Sequence, residues 1–255
     1  MRPRNVCLAV IVAVSLILES LPVLGGIPGG MPLPTPDNAP HVLHWSARLG
    51  FSLLARAYRY QGDYGLTYNI AQVGPTMAYF FANVDVEALS DLQSSFRPDH
   101  LTGTFEVGGR RILGTTPVSL YLRHESPHDL DRADRKQGSW EQVGARVEHK
   151  LGRTHLTLSS GWFYHTVVDD YRWDVDLHAS RAMGRVWGLP WDLQADLHQM
   201  QEDGTRSNYT DFWIEPAVAL SDHLQAFAAF GQVHDIDVFH GKTEMPLQTG
   251  VKFRW

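Results

Sequence analysis

The chain has 255 residues, 44% of them hydrophobic and 20% charged, and its 22 Lys and Arg against 28 Asp and Glu give a formal net charge of −6. An acidic balance without a cationic cluster argues against nucleic acid as a partner, because affinity for a polyphosphate rests on Lys and Arg displacing counterions. One cysteine, Cys7, leaves no pair for an internal disulfide.

The first segment has the order of a secretory signal. "MRPRN" is a short basic region, "VCLAVIVAVSLIL" an apolar core, and "ESLPVLGG" a small-residue end suited to cleavage. The apolar run is about 13 residues, short of the ~18 to 20 that a spanning helix needs. Residues 1–25 are therefore expected to be a signal peptide, and Cys7 would leave with it. "GGIPGGMPLPTPDNAP" follows, too rich in Pro and Gly for a helix or an interior strand. Residues 26–45 are expected to be a leader, and 46–255 a single β domain.

From Thr76 onward apolar and polar residues alternate with period 2, the pattern of strands with one apolar and one polar face. In "TMAYFFANVDVEA" Ala78, Phe80, Ala82, Val84 and Val86 alternate with Tyr79, Asn83, Asp85 and Glu87. "YRWDVDLHAS" and "LPWDLQADLH" repeat the pattern, with Asp174, Asp176, His178, Asp192, Asp196 and His198 on the polar side. Strands are predicted near 76–88, 99–108, 116–126, 138–150, 154–166, 171–182, 186–199, 208–220, 223–235 and 244–255. "SARLGFSLLARAYRYQ" and "GLTYNIAQV" are weaker candidates for two more.

Such alternation suits a soluble sandwich or a membrane barrel. The connections favour the barrel. "LSDH", "MGRV" and "KLGRT" are tight joins, whereas "VHDIDVFHGK", "QMQEDGTRSN" and "SPHDLDRADRKQG" are long and charged, with "TVVDD" the shorter exception. Short turns on one side and long loops on the other are the habit of outer-membrane barrels. Trp162, Trp173, Trp187, Trp191 and Phe212 supply candidates for the aromatic girdles. The predicted fold is an all-β, antiparallel transmembrane β-barrel of about 10–12 strands, in the outer membrane of a Gram-negative bacterium. The final segment, "LQTGVKFRW", alternates and ends on an aromatic. It resembles the C-terminal insertion signal of bacterial outer-membrane barrels, which implies the barrel-assembly machinery as a partner.

Parity gives the chemistry its direction. On "PVSLYLRHES" the apolar face is Val118, Leu120 and Leu122, and the same period sends His124 and Ser126 outward. On "SWEQVGARV" the apolar face is Val143, Ala145 and Val147, and Glu141 shares it. A serine, a histidine and a carboxylate on one outward face near the outer end of a hairpin suit acyl transfer from a membrane lipid. Ser126 would be the nucleophile, His124 the base that takes its proton and later protonates the leaving alcohol, and Glu141 its orienting carboxylate. By the same parity Glu125 points into the lumen.

The arrangement resembles two families of outer-membrane barrel enzymes, phospholipase A and lipid A 3-O-deacylase, which carry His-x-Ser on one strand and Asn or Glu, respectively, on the next. The resemblance spans His124 to about Ala145, and "SWEQV" is similar to the phospholipase segment with Glu141 in place of its Asn. It implies hydrolysis of phospholipid or lipid A esters, with outer-membrane lipids as partners. The phospholipase pattern continues Ser-Asn-Gly, where this chain has Ser126, Pro127 and His128. Proline has no N–H, so the expected oxyanion donor is the His128 amide. The phospholipase uses Ca²⁺, and Asp129, Asp131 and Asp134 are the oxygen ligands on offer here, although a solvated acidic loop explains the same residues. The alternative is a non-enzymatic barrel, a narrow pore or a structural or adhesive protein, whose lumenal charges serve only to fill its interior. Deleting Phe253 to Trp255 should block barrel assembly while leaving export across the inner membrane intact, read by fractionation and by loss of the heat-modifiable gel band.

Overall fold

A computed structural model describes residues 41–53, 58–89, 97–129, 138–167, 171–202, 208–235, 242–245 and 247–254. The expected signal peptide and the leader as far as residue 40 lie outside the described residues. Twelve strands follow in order: β1 (Leu43–Ser52), β2 (Tyr58–Val73), β3 (Thr76–Leu89), β4 (Arg97–Leu113), β5 (Thr116–Asp129), β6 (Ser139–Leu151), β7 (Thr154–Val167), β8 (Tyr171–Val186), β9 (Leu189–Glu202), β10 (Asn208–Ala219), β11 (Leu224–Asp235) and β12, in two pieces, Lys242–Glu244 and Leu247–Arg254. Each strand pairs antiparallel with the next, and β12 pairs with β1 from Ser46↔Arg254 to Ser52↔Gln248. The sheet is thereby closed and has no free edge, which is how a β-structure satisfies its backbone polar groups inside a bilayer.

The stretch of the two weak candidates holds two strands, so the count is twelve, but the division differs: the first candidate, 46–61, takes in most of β1 and the start of β2, and the second, 65–73, is the rest of β2. β1 begins at Leu43, inside the stretch expected to be leader. The Gly62–Gly65 stretch does not interrupt β2, which pairs with β1 from Tyr60 to Tyr68. One turn lies later than expected. "MGRV" is part of β8 and carries a bulge between Ala182 and Gly184, with Gly184 at φ 124°; the chain reverses at Trp187 and Gly188. Their φ values of 53° and 81° are those of a type I′ hairpin turn, whose twist matches the flanking strands.

Alternation sorts the side chains as the period requires. Leu120 and Leu122 on β5 are 67% and 51% exposed, while Ser119 and Tyr121, which alternate with them, are buried. The exposed set continues around the barrel with Leu49, Val107, Val143, Leu158 and Ile214. A water-facing surface of this kind would drive association, whereas in a bilayer it is the lipid belt. Trp162 and Tyr164, near the long-loop end of β7, and Trp187, at a short turn, mark the two interfaces with exposed aromatics.

The inward face is polar and held by ion pairs. Glu106 is buried and accepts from Arg146 Nη1 and Nη2 at 2.9 Å each, from Arg123 Nη2 at 2.9 Å, and from the Tyr79 hydroxyl at 2.7 Å. The Tyr121 ring lies 5.0 Å from each of the two guanidiniums. On the other side of the lumen Arg48 donates to Glu215 at 3.2 Å and Gln248 at 3.0 Å, and Lys252 pairs with Glu215 and donates to Gln194 at 3.1 Å. Two cavities open between these groups, of about 290 Å³ and 140 Å³. Tyr79 reaches Glu106 by crossing Gly108, where a Cβ would stand 2.6 Å from the phenol ring and 2.7 Å from the Leu120 carbonyl oxygen.

Removing the acid at the centre of this network leaves the buried Arg146 guanidinium without its ion-pair partner and beside the half-buried Arg123. Glu106→Ala should therefore destabilise the refolded barrel by about 3–5 kcal/mol. The measurement is urea unfolding in detergent followed by tryptophan fluorescence, and a change below about 1 kcal/mol would deny the network its structural role.

Candidate active site on the outer face of β4 to β7

The outward column of β5 reads Leu120, Leu122, His124, Ser126, His128. Its sense follows from the connections. The described joins Gly74–Pro75, Gly114–Thr115, Gly152–Arg153 and Trp187–Gly188, of two residues each, and 220–223, of four, lie at one end, so the nine-residue connection 130–138, and the end of β5 that carries His128, lie at the other. In an outer-membrane barrel the long loops face outside. His124, Ser126 and His128 therefore climb from the lipid belt to the outer-leaflet interface.

The register joins His124 directly to Glu141 across β5 and β6. Facing residues of an antiparallel pair have Cβ atoms about 4.5–5.5 Å apart, close enough for a carboxylate to meet an imidazole. On its other side Glu141 faces His165 of β7, and His124 faces Phe105 of β4. One row across four strands thus holds Phe105, His124, Glu141 and His165. A bulge between Glu141 and Gln142 leaves Tyr164 without an opposite residue and sets its phenol beside the Glu141 carboxylate.

Ser126 lies one outward step beyond this row, facing Gly103. A Cβ at Gly103 would be 3.7 Å from Ser126 Oγ, so the glycine leaves the β4 flank of the hydroxyl open. Among the described residues the hydrogen-bond partner of that hydroxyl is His128, with Nε2 3.3 Å from Oγ. His124 and Glu141 are brought together by register, Ser126 and His128 by contact. The described pairing of β5 with β6 ends at Glu125↔Trp140, while β5 remains paired with β4 as far as His100↔Asp129. Glu125 lines the 140 Å³ lumenal cavity with Arg123, Asp174 and His198, as parity requires.

Of the residues considered for Ca²⁺, Asp131 and Asp134 lie outside the described residues, and of Asp129 the backbone alone is described, at the end of β5. Among the described residues no three carboxylate, histidine or cysteine side chains gather to hold a metal ion.

Two neighbours of the site, His165 and Phe105, escape a reading of the sequence. Uninterrupted alternation from Trp162 sends His165 into the lumen, and only the bulge returns it to the outer face. Phe105 depends on the β4 to β5 register. The His128 side chain was legible as the third outward member of His-x-Ser-x-His, where the expectation concerned its amide.

No protein-family model matches the chain, and no curated protein matches it in sequence. Solved structures do resemble it. Outer membrane phospholipase A from Escherichia coli superposes with a TM-score of 0.63 at 10% identity, over 87% of this chain and 93% of that one. The outer membrane phospholipase dimer of Salmonella typhi with bound calcium gives 0.60 at 8% identity, over 88% and 94%. An outer membrane channel from Pseudomonas putida F1 gives 0.51 at 13% identity, over 88% and 100%. The fold is that of a bacterial outer-membrane β-barrel, of which these are examples. An enzyme and a channel share it, so the chemistry must be argued from the side chains.

The register can be checked directly. With Cys7 replaced by Ser, the pair His124→Cys and Glu141→Cys should be joined efficiently by a short bifunctional thiol reagent. The pair Leu122→Cys and Glu141→Cys, one diagonal step apart, should react several-fold less. Equal yields would mean that β5 and β6 are not locked in this register.

Proposed function

We propose that the barrel hydrolyses an acyl ester of an outer-leaflet lipid, a phospholipid or lipid A, at Ser126. The observation that carries this assignment is the placement of Ser126, His124 and Glu141 on one outward face at the interface, with His124 and Glu141 directly opposed. Lipid esters occupy that depth in the bilayer, so the membrane itself delivers the substrate. The acyl chain would lie along Leu122, Leu120, Phe105 and Val143, which are all exposed on the same face.

Ser126 Oγ attacks the carbonyl while His124 takes its proton. Glu141 holds the imidazole in one tautomer and stabilises the imidazolium by its charge. The carbonyl oxygen becomes an oxyanion, for which Pro127 has no N–H to give. The His128 amide, beyond the last described pair of β5 with β6, is the donor we assign to it. Collapse expels the alcohol and leaves an acyl-serine that water then cleaves.

The pore alternative has the channel-like neighbour in its favour. Against it stand the ion pairs that fill the lumen around Glu106, along the wall from β3 to β6, and around Arg48, which leave cavities of about 290 Å³ and 140 Å³. Planar-bilayer conductance measured beside fluorescent phospholipid hydrolysis separates the two.

Ser126→Ala and His124→Ala should each lower lipid ester hydrolysis by at least about 10³-fold, and Glu141→Ala by less, since an orienting carboxylate can be lost with part of the rate retained. None of the three belongs to the packed interior, so stability should change by no more than ~0.5 kcal/mol. Covalent labelling by a fluorophosphonate in detergent should map to Ser126 and vanish in Ser126→Ala. A Ser126→Ala barrel as active as wild type would end the proposal.

A further inference from the structure

His128 has a place that the triad leaves unused. It is the next outward residue beyond Ser126 on β5, and its Nε2 is 3.3 Å from the Ser126 hydroxyl. His124 lies the same two residues away in the opposite direction. Two residues of strand cover about 6.8 Å, or roughly 5 Å of depth at the usual barrel tilt. Ser126 therefore sits between a deeper imidazole, faced by Glu141, and a shallower one.

A bilayer lipid has a fixed sense. Its acyl chains run toward the midplane and its alcohol portion, whether glycerol or sugar, toward the headgroups. With the ester carbonyl at Ser126 and the chain along Leu122 and Leu120, the leaving oxygen points outward. It lies on the His128 side of the serine. His124 would have to reach past Ser126 to protonate it.

Building on the assignment of Ser126 as nucleophile, we propose that His128 is the general acid that protonates the leaving alcohol, while His124 is the base that takes the serine proton. Acylation starts with His124 neutral and His128 protonated, its Nε2–H donating to Ser126 Oγ. The Oγ–H proton passes to His124 as the Oγ–C bond forms and the carbonyl π pair moves to oxygen. The pair returns, the C–O bond to the alcohol breaks, and the alcohol oxygen takes the proton from His128. In deacylation water attacks the acyl carbon and gives a proton to the now neutral His128. Collapse expels Ser126 Oγ, which recovers its proton from His124. The enzyme ends as it began, and the sum is ester plus water to acid plus alcohol.

The division of labour is testable with two leaving groups. The alkoxide of a lipid alcohol must be protonated as it departs, whereas p-nitrophenolate leaves without a proton. His128→Ala should lower hydrolysis of a long-chain phospholipid ester in mixed micelles by about 10²–10⁴-fold. The same variant should keep, within about 3-fold, both the p-nitrophenol burst that reports acylation by a p-nitrophenyl ester and the labelling of Ser126 by a fluorophosphonate. Its steady-state turnover after the burst should be slow, because water has lost its base. His124→Ala should lose burst and labelling together. The heat-induced gel shift of each variant confirms that its barrel is folded. The proposal is overturned if folded His128→Ala hydrolyses phospholipid like wild type, or if it loses burst and labelling as His124→Ala does. A wild-type barrel that neither labels nor shows a burst overturns instead the nucleophile on which the proposal rests, and the proposal falls with it.

Discussion

Closure of the sheet by β12 against β1 is the constraint on which everything else depends. In hydrocarbon each unpaired N–H or C=O costs several kcal/mol, so a β-structure persists there only if its last strand finds its first. The pairing from Ser46↔Arg254 to Ser52↔Gln248 achieves this. Once the ring is closed, every strand has one face to the lumen and one to lipid, and the period of 2 assigns each side chain to one of them. The outer face then has to be apolar through the bilayer, which makes any polar cluster on it conspicuous.

The lumen meets the opposite demand. Twelve strands enclose a space that polar side chains can nearly fill, and here opposite charges share it. Glu106 gathers two guanidiniums and a phenol from β3, β5 and β6, while Arg48, Glu215 and Lys252 tie β1, β10 and β12 across the region of closure. Such pairs fix the distances between strands and hence the register on which the outer face depends. Arg123, which holds Glu106 from β5, is flanked in sequence by Leu122 and His124, so the inner network and the outer site share one stretch of backbone.

That sharing gives the site its rigidity. His124 and Glu141 are placed by ladder hydrogen bonds on two neighbouring strands rather than by loops, and their separation is set by strand spacing. Ser126 and His128 stand where the pairing with β6 stops, with Gly103 leaving one flank open. The exposed rings of Phe105, Trp162 and Tyr164 border the cluster where hydrocarbon gives way to headgroups. A nucleophile, two imidazoles and a carboxylate thus line up along the direction in which a lipid ester is itself oriented.

Much of this was legible in the chain, because alternation is a local property. The apolar rows Leu120, Leu122 and Val143, Ala145, Val147 are enough to send His124, Ser126 and Glu141 outward and Glu125 inward, since a strand has only two faces and neighbouring residues must take opposite ones. The short and long joins carried the orientation in the same way. What depended on tertiary structure was everything that alternation cannot encode. "MGRV" looked like a turn and is a bulge, because the φ values that reverse a hairpin fall at Trp187 and Gly188. His165 changes face through a bulge that exists only in the pairing of β6 with β7. That Glu141 meets His124 rather than Ser126, and that the Ser126 hydroxyl meets the His128 ring, follow from register and rotamer. Both are decided between strands, by which backbone groups pair and where the side chains can lie, and no single strand contains that information.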